Sequence, residues 1–197
     1  MKIFPPFELV DSLCEIQKPD WCGISQITWE TIPYVMRYTG CRVGEAAQLT
    51  AKDVFESDGI LIMYMVAEKS EGRKSDPFPD GRKEVPVHPK LKPKLEKAMS
   101  ARPDGFLFPD VGVTYSKHEG KKEAKFGARY RTVWLPLARE IWPLMKVHSW
   151  RSYVSKYLTK VAGVPETVSE DICGHARGTI NRDYSGRAPL QQLYEAV

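Results

Sequence analysis

The feature that most constrains the fold is an unbroken apolar run, ILIMYMV, over residues 60–66. Much of the run is β-branched or aromatic, and the turn formers Asp58-Gly59 stand directly before it, which is the pattern of a β-strand. A second extended piece, EVPV at residues 84–87, follows a segment rich in charge, glycine and proline at residues 70–83. We therefore expect the two pieces to pair as a hairpin with a long, mobile connection.

Elsewhere the apolar residues recur mainly at the spacing of amphipathic helices. Ile32, Val35 and Met36 would face the core from a helix over residues 25–38, which Thr39-Gly40 would end. Further helices are expected over residues 9–16, 42–49, 91–99, 126–142 with a kink or break at Pro136, 149–161, 165–173 and 189–196, with a turn or short helix near residues 179–184. A short extended piece at residues 105–109 and a flexible polar loop at residues 112–125 complete the prediction. The predicted fold class is α+β, mainly α-helical with a small antiparallel sheet.

Length and charge narrow the classes of function. The 197 residues fit a single domain over residues 1–197. No apolar run approaches the ~20 residues that a membrane span needs, and residues 1–6 lack the apolar core of a secretory signal, so we expect a cytoplasmic protein without membrane contact. The net charge is only +4, but residues 61–131 carry 16 basic against 10 acidic residues, which favours a polyanionic partner.

The four cysteines contain no close pair of the kind that zinc ribbons use. They are Cys14, Cys22, Cys41 and Cys173. In a chain of this length they do not suggest a disulfide scaffold, and we expect buried thiols.

Two segments carry arginines in positions suited to an anion. Arg42 follows Thr39-Gly40 at a predicted helix start, where backbone N–H groups and a guanidinium would suit a phosphate. The alternative is a surface arginine that pairs with Glu45 at i,i+3. His148 and Arg151 lie three residues apart, hence on one helical face, where both could donate to one anion or serve a structural or surface role.

Three more residues have functional groups of interest. Gly174-His175 is followed nine residues later by Tyr184, and the turn formers between them would let a loop bring the phenol near the imidazole. The alternative for Tyr184 is half-buried packing. Lys69 comes at the end of the apolar run, and the alternative for it is a solvated lysine.

In chain order, Arg, Lys, His-x-x-Arg, Gly-His and Tyr form a combination that resembles the catalytic domain of the tyrosine recombinase, or phage integrase, family. The residues YVMRYTGCRVGE at 34–45 and LTAKDV at 49–54 look like the family's first motif and its continuation. The residues AGVP at 162–165, before CGH at 173–175, look like the segment between its second and third motifs. Cys173 stands where the family commonly has leucine. The resemblance spans about residues 30–185.

The resemblance implies a site-specific recombinase (integrase) that cleaves and rejoins double-stranded DNA through a 3′-phosphotyrosyl intermediate, with no metal and no nucleotide cofactor. The catalytic residues that it implies are Arg42, Lys69, His148, Arg151, His175 and Tyr184. In it Tyr184 is the nucleophile, and Lys69 is the hairpin lysine that protonates the leaving 5′-oxygen. Lys74 and Lys83 are alternatives to Lys69, because the connection at residues 70–83 is longer than is usual in the family.

The resemblance also implies a homo-tetramer on DNA, with a monomer possible when the chain is free. Basic stretches at residues 69–97 and 117–131 would contact the duplex backbone. No counterpart of the family's N-terminal DNA-clamping domain is expected, since about thirty residues precede the first motif. Three other functions stay open: a strand-resealing enzyme like a type IB topoisomerase, a non-catalytic DNA-binding protein, and a metal-dependent phosphodiesterase.

Overall fold

The computed structural model describes residues 4–66, 82–112, 114–118, 121–174 and 188–197. The described part of the chain contains eight α-helices and five β-strands. The helices are α1 (Val10–Cys14), α2 (Gln26–Thr39), α3 (Val43–Ala47), α4 (Lys92–Ala101), α5 (Ala128–Ile141), α6 (Ser149–Lys160), α7 (Glu166–Cys173) and α8 (Leu190–Ala196). The strands are β1 (Val54–Ser57), β2 (Ile60–Val66), β3 (Arg82–Pro86), β4 (Thr114–His118) and β5 (Lys121–Lys125).

Helix α2 is the centre of the fold and contacts α1, α3, α4 and α6. Its N-cap is Ser25, whose side-chain oxygen accepts a hydrogen bond from the Thr28 backbone N–H at 3.4 Å. The predicted inward residues Ile32, Val35 and Met36 are at most 1% exposed. Gly40 ends the helix in the left-handed conformation, and its N–H donates to the Met36 carbonyl. The predicted helix over residues 25–38 is confirmed.

The predicted hairpin forms two strands, β2 and β3, of a three-stranded antiparallel sheet in the order β1-β2-β3. Val54 of β1 lies opposite Met63 of β2, which in turn lies opposite Val85 of β3. All three side chains are buried, so one face of the sheet joins the core. Of the connection predicted at residues 70–83, residues 70–81 lie outside the described residues.

One local prediction was wrong. Residues 112–125 were expected to form a polar loop, but β4 and β5 pair in antiparallel register from Thr114 opposite Lys125 to His118 opposite Lys121. A two-stranded hairpin is held by its backbone hydrogen bonds, and this one lacks the apolar alternation by which strands are recognised. At Pro136, where a kink or a break was expected, helix α5 continues without a break.

Aromatic side chains join α2, α5 and α6 within the core. Trp29 contacts Tyr130 with ring centroids 5.5 Å apart, and Trp134 contacts Trp150 at 6.1 Å. Trp150 is fully buried, and the next residue along α6 is Arg151. Packing of the large rings therefore determines where α6 holds its arginine.

The cysteine prediction is confirmed, because all four thiols are buried. Among the described residues, none of the helices combines the length and the apolar character needed to cross a bilayer.

Asp110 connects the start of α2 to the segment that precedes β4. Its carboxylate accepts hydrogen bonds from the Thr28 hydroxyl at 2.8 Å, from the Ser25 backbone N–H at 3.2 Å and from the Ser25 hydroxyl. Burial alone would raise the pKa of Asp110, but these hydrogen bonds outweigh it, and the pKa lies below its ordinary value.

We expect Asp110→Ala to lower the free energy of unfolding by about 1–2 kcal/mol, because the N-cap of α2 loses its acceptor. Urea unfolding followed by circular dichroism measures the loss. Since the folded-state pKa is lowered, the wild-type advantage should be present at neutral pH and disappear as the pH falls through that pKa. The exposed Asp104→Ala variant is the control, and an equal loss in both variants would contradict this role of Asp110.

Candidate active site

Arg42 stands at the N-cap of α3, two residues after the left-handed Gly40. Its backbone N–H donates to the Glu45 carboxylate at 3.0 Å, and its Nη1 donates to the same carboxylate at 3.3 Å. The i,i+3 pair anticipated as the alternative for Arg42 is therefore present. It is not a surface pair, since the Glu45 side chain is 5% exposed and that of Arg42 is 29% exposed.

The Nε of Arg42 is buried and has no hydrogen-bond partner within the described ranges. Buried donors in native proteins are nearly always paired, so such a donor indicates a place where another group can bind. The Arg42 side chain is also 29% exposed, so an anion can approach the guanidinium from solvent.

A second cation meets the same carboxylate. The Lys83 Nζ in β3 lies 3.5 Å from Glu45 Oε2 and donates to the Cys173 carbonyl oxygen at 3.3 Å. Lys83 is 5% exposed, so the amine is buried with its partners. One buried carboxylate is thus shared between a lysine and an arginine.

Arg151 reaches the site from α6. Its guanidinium donates to the Gly174 carbonyl and, at 3.5 Å, to the Gly40 carbonyl, so it bridges the C-terminal ends of α7 and α2. Burial lowers the pKa of Arg151, the nearby charge of Arg42 lowers it further, and the Glu45 carboxylate raises it. Arg151 thus contacts the backbone two residues before Arg42 and the residue next to the Cys173 carbonyl that Lys83 contacts, so the two arginines lie in one neighbourhood.

Two glycines allow these segments to approach each other closely. A β carbon on Gly40 would lie 3.0 Å from Cys173 Sγ, and one on Gly174 would lie 3.1 Å from Lys83 Cδ. Both residues have positive φ, at 61° and 68°. Glycine is therefore needed at both positions for the backbone conformation and for the packing.

These four residues form a cluster with a net positive charge. Its cations are Arg42, Lys83 and Arg151, and its anion is Glu45. Two guanidiniums offer planar, forked donors that suit the non-bridging oxygens of a phosphate. The cluster is therefore chemically suited to bind a phosphodiester.

The other predicted site residues differ in what the structure describes. His148 is exposed and immediately precedes α6, three residues before Arg151. Lys69, Lys74, His175 and Tyr184 lie outside the described residues. Of the predicted set, the structure thus brings Arg42 and Arg151 together, with His148 one helical turn from Arg151.

The contact between Glu45 and Lys83 was not predicted from the sequence. The alternation of Lys83 and Val85 along β3, continued by Val87 directly after the strand, was the available signal, because residues two apart in a strand face the same side. All three are buried. For Glu45 the signal was a carboxylate among small apolar residues in the short helix α3.

No family model matches the sequence, and no curated protein matches it. Solved structures do resemble the fold. The crystal structure of XerA recombinase superposes with a TM-score of 0.59 at 18% identity, covering 98% of this chain and 64% of that chain. XerH site-specific recombinase bound to difH substrate gives 0.58 at 18% identity, covering 88% of this chain and 47% of that one.

The Tn1549 transposon integrase in complex with a circular intermediate DNA gives a TM-score of 0.60 at 16% identity, covering 98% of this chain and 64% of that chain. This chain therefore spans less than two thirds of the length of these three proteins. The fold is that of the tyrosine recombinase catalytic domain, so the predicted fold class and the resemblance in fold are confirmed.

We expect Gly40→Ala to destabilise the protein more than Gly59→Ala does. Both glycines have positive φ, so each alanine costs about 1–2 kcal/mol for the left-handed conformation. At Gly40 the new methyl group also meets Cys173 and Val154, which adds at least about 1 kcal/mol, whereas no described atom lies within 4 Å at Gly59. Urea unfolding measures both variants, and equal losses would show that the packing around Gly40 is looser than described.

Proposed function

We propose that this chain is a site-specific DNA recombinase that cleaves and rejoins strands through a covalent 3′-phosphotyrosyl intermediate. The observation that carries the proposal is the approach of Arg42 and Arg151 to one neighbourhood, in a fold shared with XerA and XerH recombinases. The motifs that contain these arginines lie far apart in the sequence, and the fold brings them to one cluster.

Electrostatic stabilisation is the main requirement of the reaction, because negative charge on the phosphate oxygens grows in the transition state. Arg42 and Arg151 would bind the two non-bridging oxygens of the scissile phosphate. Since both side chains are partly buried and held by protein acceptors, little reorganisation would be needed when the phosphate arrives.

In the proposed cleavage step the Tyr184 oxygen attacks phosphorus and the bond to the 5′-oxygen breaks. His148 would accept the phenolic proton, and His175 would donate a hydrogen bond to the phosphate. Lys69, with Lys74 and Lys83 as alternatives, would give a proton to the departing 5′-oxygen. The bond to Tyr184 conserves the energy of the phosphodiester, so a 5′-hydroxyl of another strand can reverse the attack and complete the exchange.

Double-stranded DNA is the proposed substrate, and XerH and the Tn1549 integrase were both solved with DNA. The basic stretches at residues 69–97 and 117–131 would contact backbone phosphates, and four identical chains would assemble on the paired sites. Binding would then weaken steeply as the salt concentration rises.

A nicked suicide substrate, whose cleaved end diffuses away, should trap a covalent protein–DNA adduct that gel electrophoresis and mass spectrometry detect. Tyr184→Phe should abolish the adduct, because the variant lacks the attacking oxygen. Tyr157→Phe is the matched control: it removes a hydroxyl from an exposed tyrosine of α6, and it should leave the adduct yield unchanged.

Two results would contradict the proposal. An adduct that persists in Tyr184→Phe would mean that another residue is the nucleophile. Wild-type protein that binds DNA but gives no adduct would support a DNA-binding protein without catalysis.

A further inference from the structure

We propose that Lys83 is a positioning residue of the phosphate site, which acts through Glu45 and the C-terminal end of α7, and that it is not the proton donor of the reaction. This inference rests on the proposed function. It assigns a separate role to one of the three lysines that the sequence left as alternatives.

The burial of Lys83 is the first observation. Its side chain is 6% exposed and that of Glu45 is 5% exposed, so the ion pair between them at 3.5 Å is withdrawn from water. A general acid must come within hydrogen-bond distance of the leaving oxygen. An amine this enclosed, with two protein acceptors already at its Nζ, is poorly placed to do so.

The partners of Lys83 are the second observation. Its Nζ donates to the Cys173 carbonyl, and the next carbonyl along the chain, that of Gly174, accepts from Arg151. The last carbonyls of an α-helix have no partners within the helix and carry partial negative charge, so cations there stabilise the helix end. Lys83 and Arg151 together therefore hold the end of α7.

The charge balance at Glu45 is the third observation. Glu45 orients Arg42 through two hydrogen bonds, but its negative charge would repel a phosphate bound at the same arginine. Lys83 offsets that charge from the buried side and leaves the exposed part of Arg42 to the substrate. Without Lys83, the buried carboxylate would draw Arg42 more strongly and weaken its hold on the phosphate.

The test uses Lys83→Met, which keeps the length of the side chain and removes the amine. Its control is Lys156→Met, the same change at an exposed lysine of α6 that lies outside both basic stretches. Single-turnover cleavage is measured at saturating DNA with two suicide substrates. One has the ordinary 5′-oxygen at the scissile bond, and the other has sulfur there, a leaving group that needs no acid.

Lys83→Met should lower the cleavage rate constant about 10- to 100-fold on both substrates, as misplacement of a site group does. The fraction of protein that reacts should stay near the wild-type value, and so should the affinity for DNA, since many phosphate contacts contribute to it. Lys156→Met should cleave like the wild type. Lys69→Ala shows the behaviour expected when the proton donor is lost. Its cleavage should be slow on the oxygen substrate and should recover on the sulfur substrate, whose leaving group needs no acid.

Two outcomes would overturn the inference. Recovery of Lys83→Met on the sulfur substrate would make Lys83 the acid. A lower reacting fraction with an unchanged rate constant would mean that Lys83 serves stability alone. Should Lys83→Met fold poorly, Lys83→Met with Glu45→Gln removes the unpaired buried charge and takes its place, with Glu45→Gln alone as its reference. The double variant should not recover on the sulfur substrate relative to Glu45→Gln, and recovery there would again make Lys83 the acid.

Amide hydrogen exchange keeps this inference separate from the proposed function, because it needs neither DNA nor catalysis. In Lys83→Met, exchange in the peptide over residues 166–173 should be faster than in the wild type and in Lys156→Met, since the end of α7 loses its donor. Unchanged exchange would overturn the positioning role. If the wild-type chain forms no adduct, the proposed function is refuted. Hydrogen exchange would then still test whether Lys83 holds the end of α7.

Discussion

The candidate site depends on one buried carboxylate. Glu45 is held between Arg42 and Lys83, at 3.3 and 3.5 Å, and a negative charge enclosed in this way is tolerated only while its partners remain. The pairing connects α3 to β3, two elements that are separated along the chain by β1, β2 and the segment between β2 and β3. Their relative position is therefore set by electrostatic pairing as well as by apolar packing.

The second constraint is the close approach of α2, α6 and α7. Gly40 and Gly174 leave room where α2 and α7 end, and Arg151 in the first turn of α6 fills the space by donating to both glycine carbonyls. A guanidinium anchored to two backbone segments is ordered before substrate arrives, which is the condition for electrostatic catalysis without reorganisation. The same aromatic core that buries Trp150 keeps α6 from rotating away.

The sequence predicted the helical framework well because each helix carries local signals. Ser25 and Gly40 mark the two ends of α2, and Ile32, Val35 and Met36 follow its period, so no tertiary information was needed. Arg42 and Arg151 were found through their motifs. Strand β1 was missed because it is short, at four residues, and the β4–β5 hairpin was missed because its strands are largely polar.

The role of Lys83 could not be predicted in the same way. Its contact with the Cys173 carbonyl joins residues 90 positions apart, and a pairing of that range depends on how the sheet packs against α7. Residues 70–83 looked like one solvated connection, since charge and glycine dominate them. The strand in fact begins at Arg82, which places Lys83 on the buried face.

The central claim is that Arg42 and Arg151 act on one phosphate. The most direct measurement is an experimental structure of the chain bound to a nicked DNA substrate. Our account predicts that a single phosphate lies within hydrogen-bond distance of both guanidiniums, with Glu45 still paired to Lys83 beneath Arg42. Guanidiniums that contact two different phosphates, or DNA bound on another face of the protein, would contradict it.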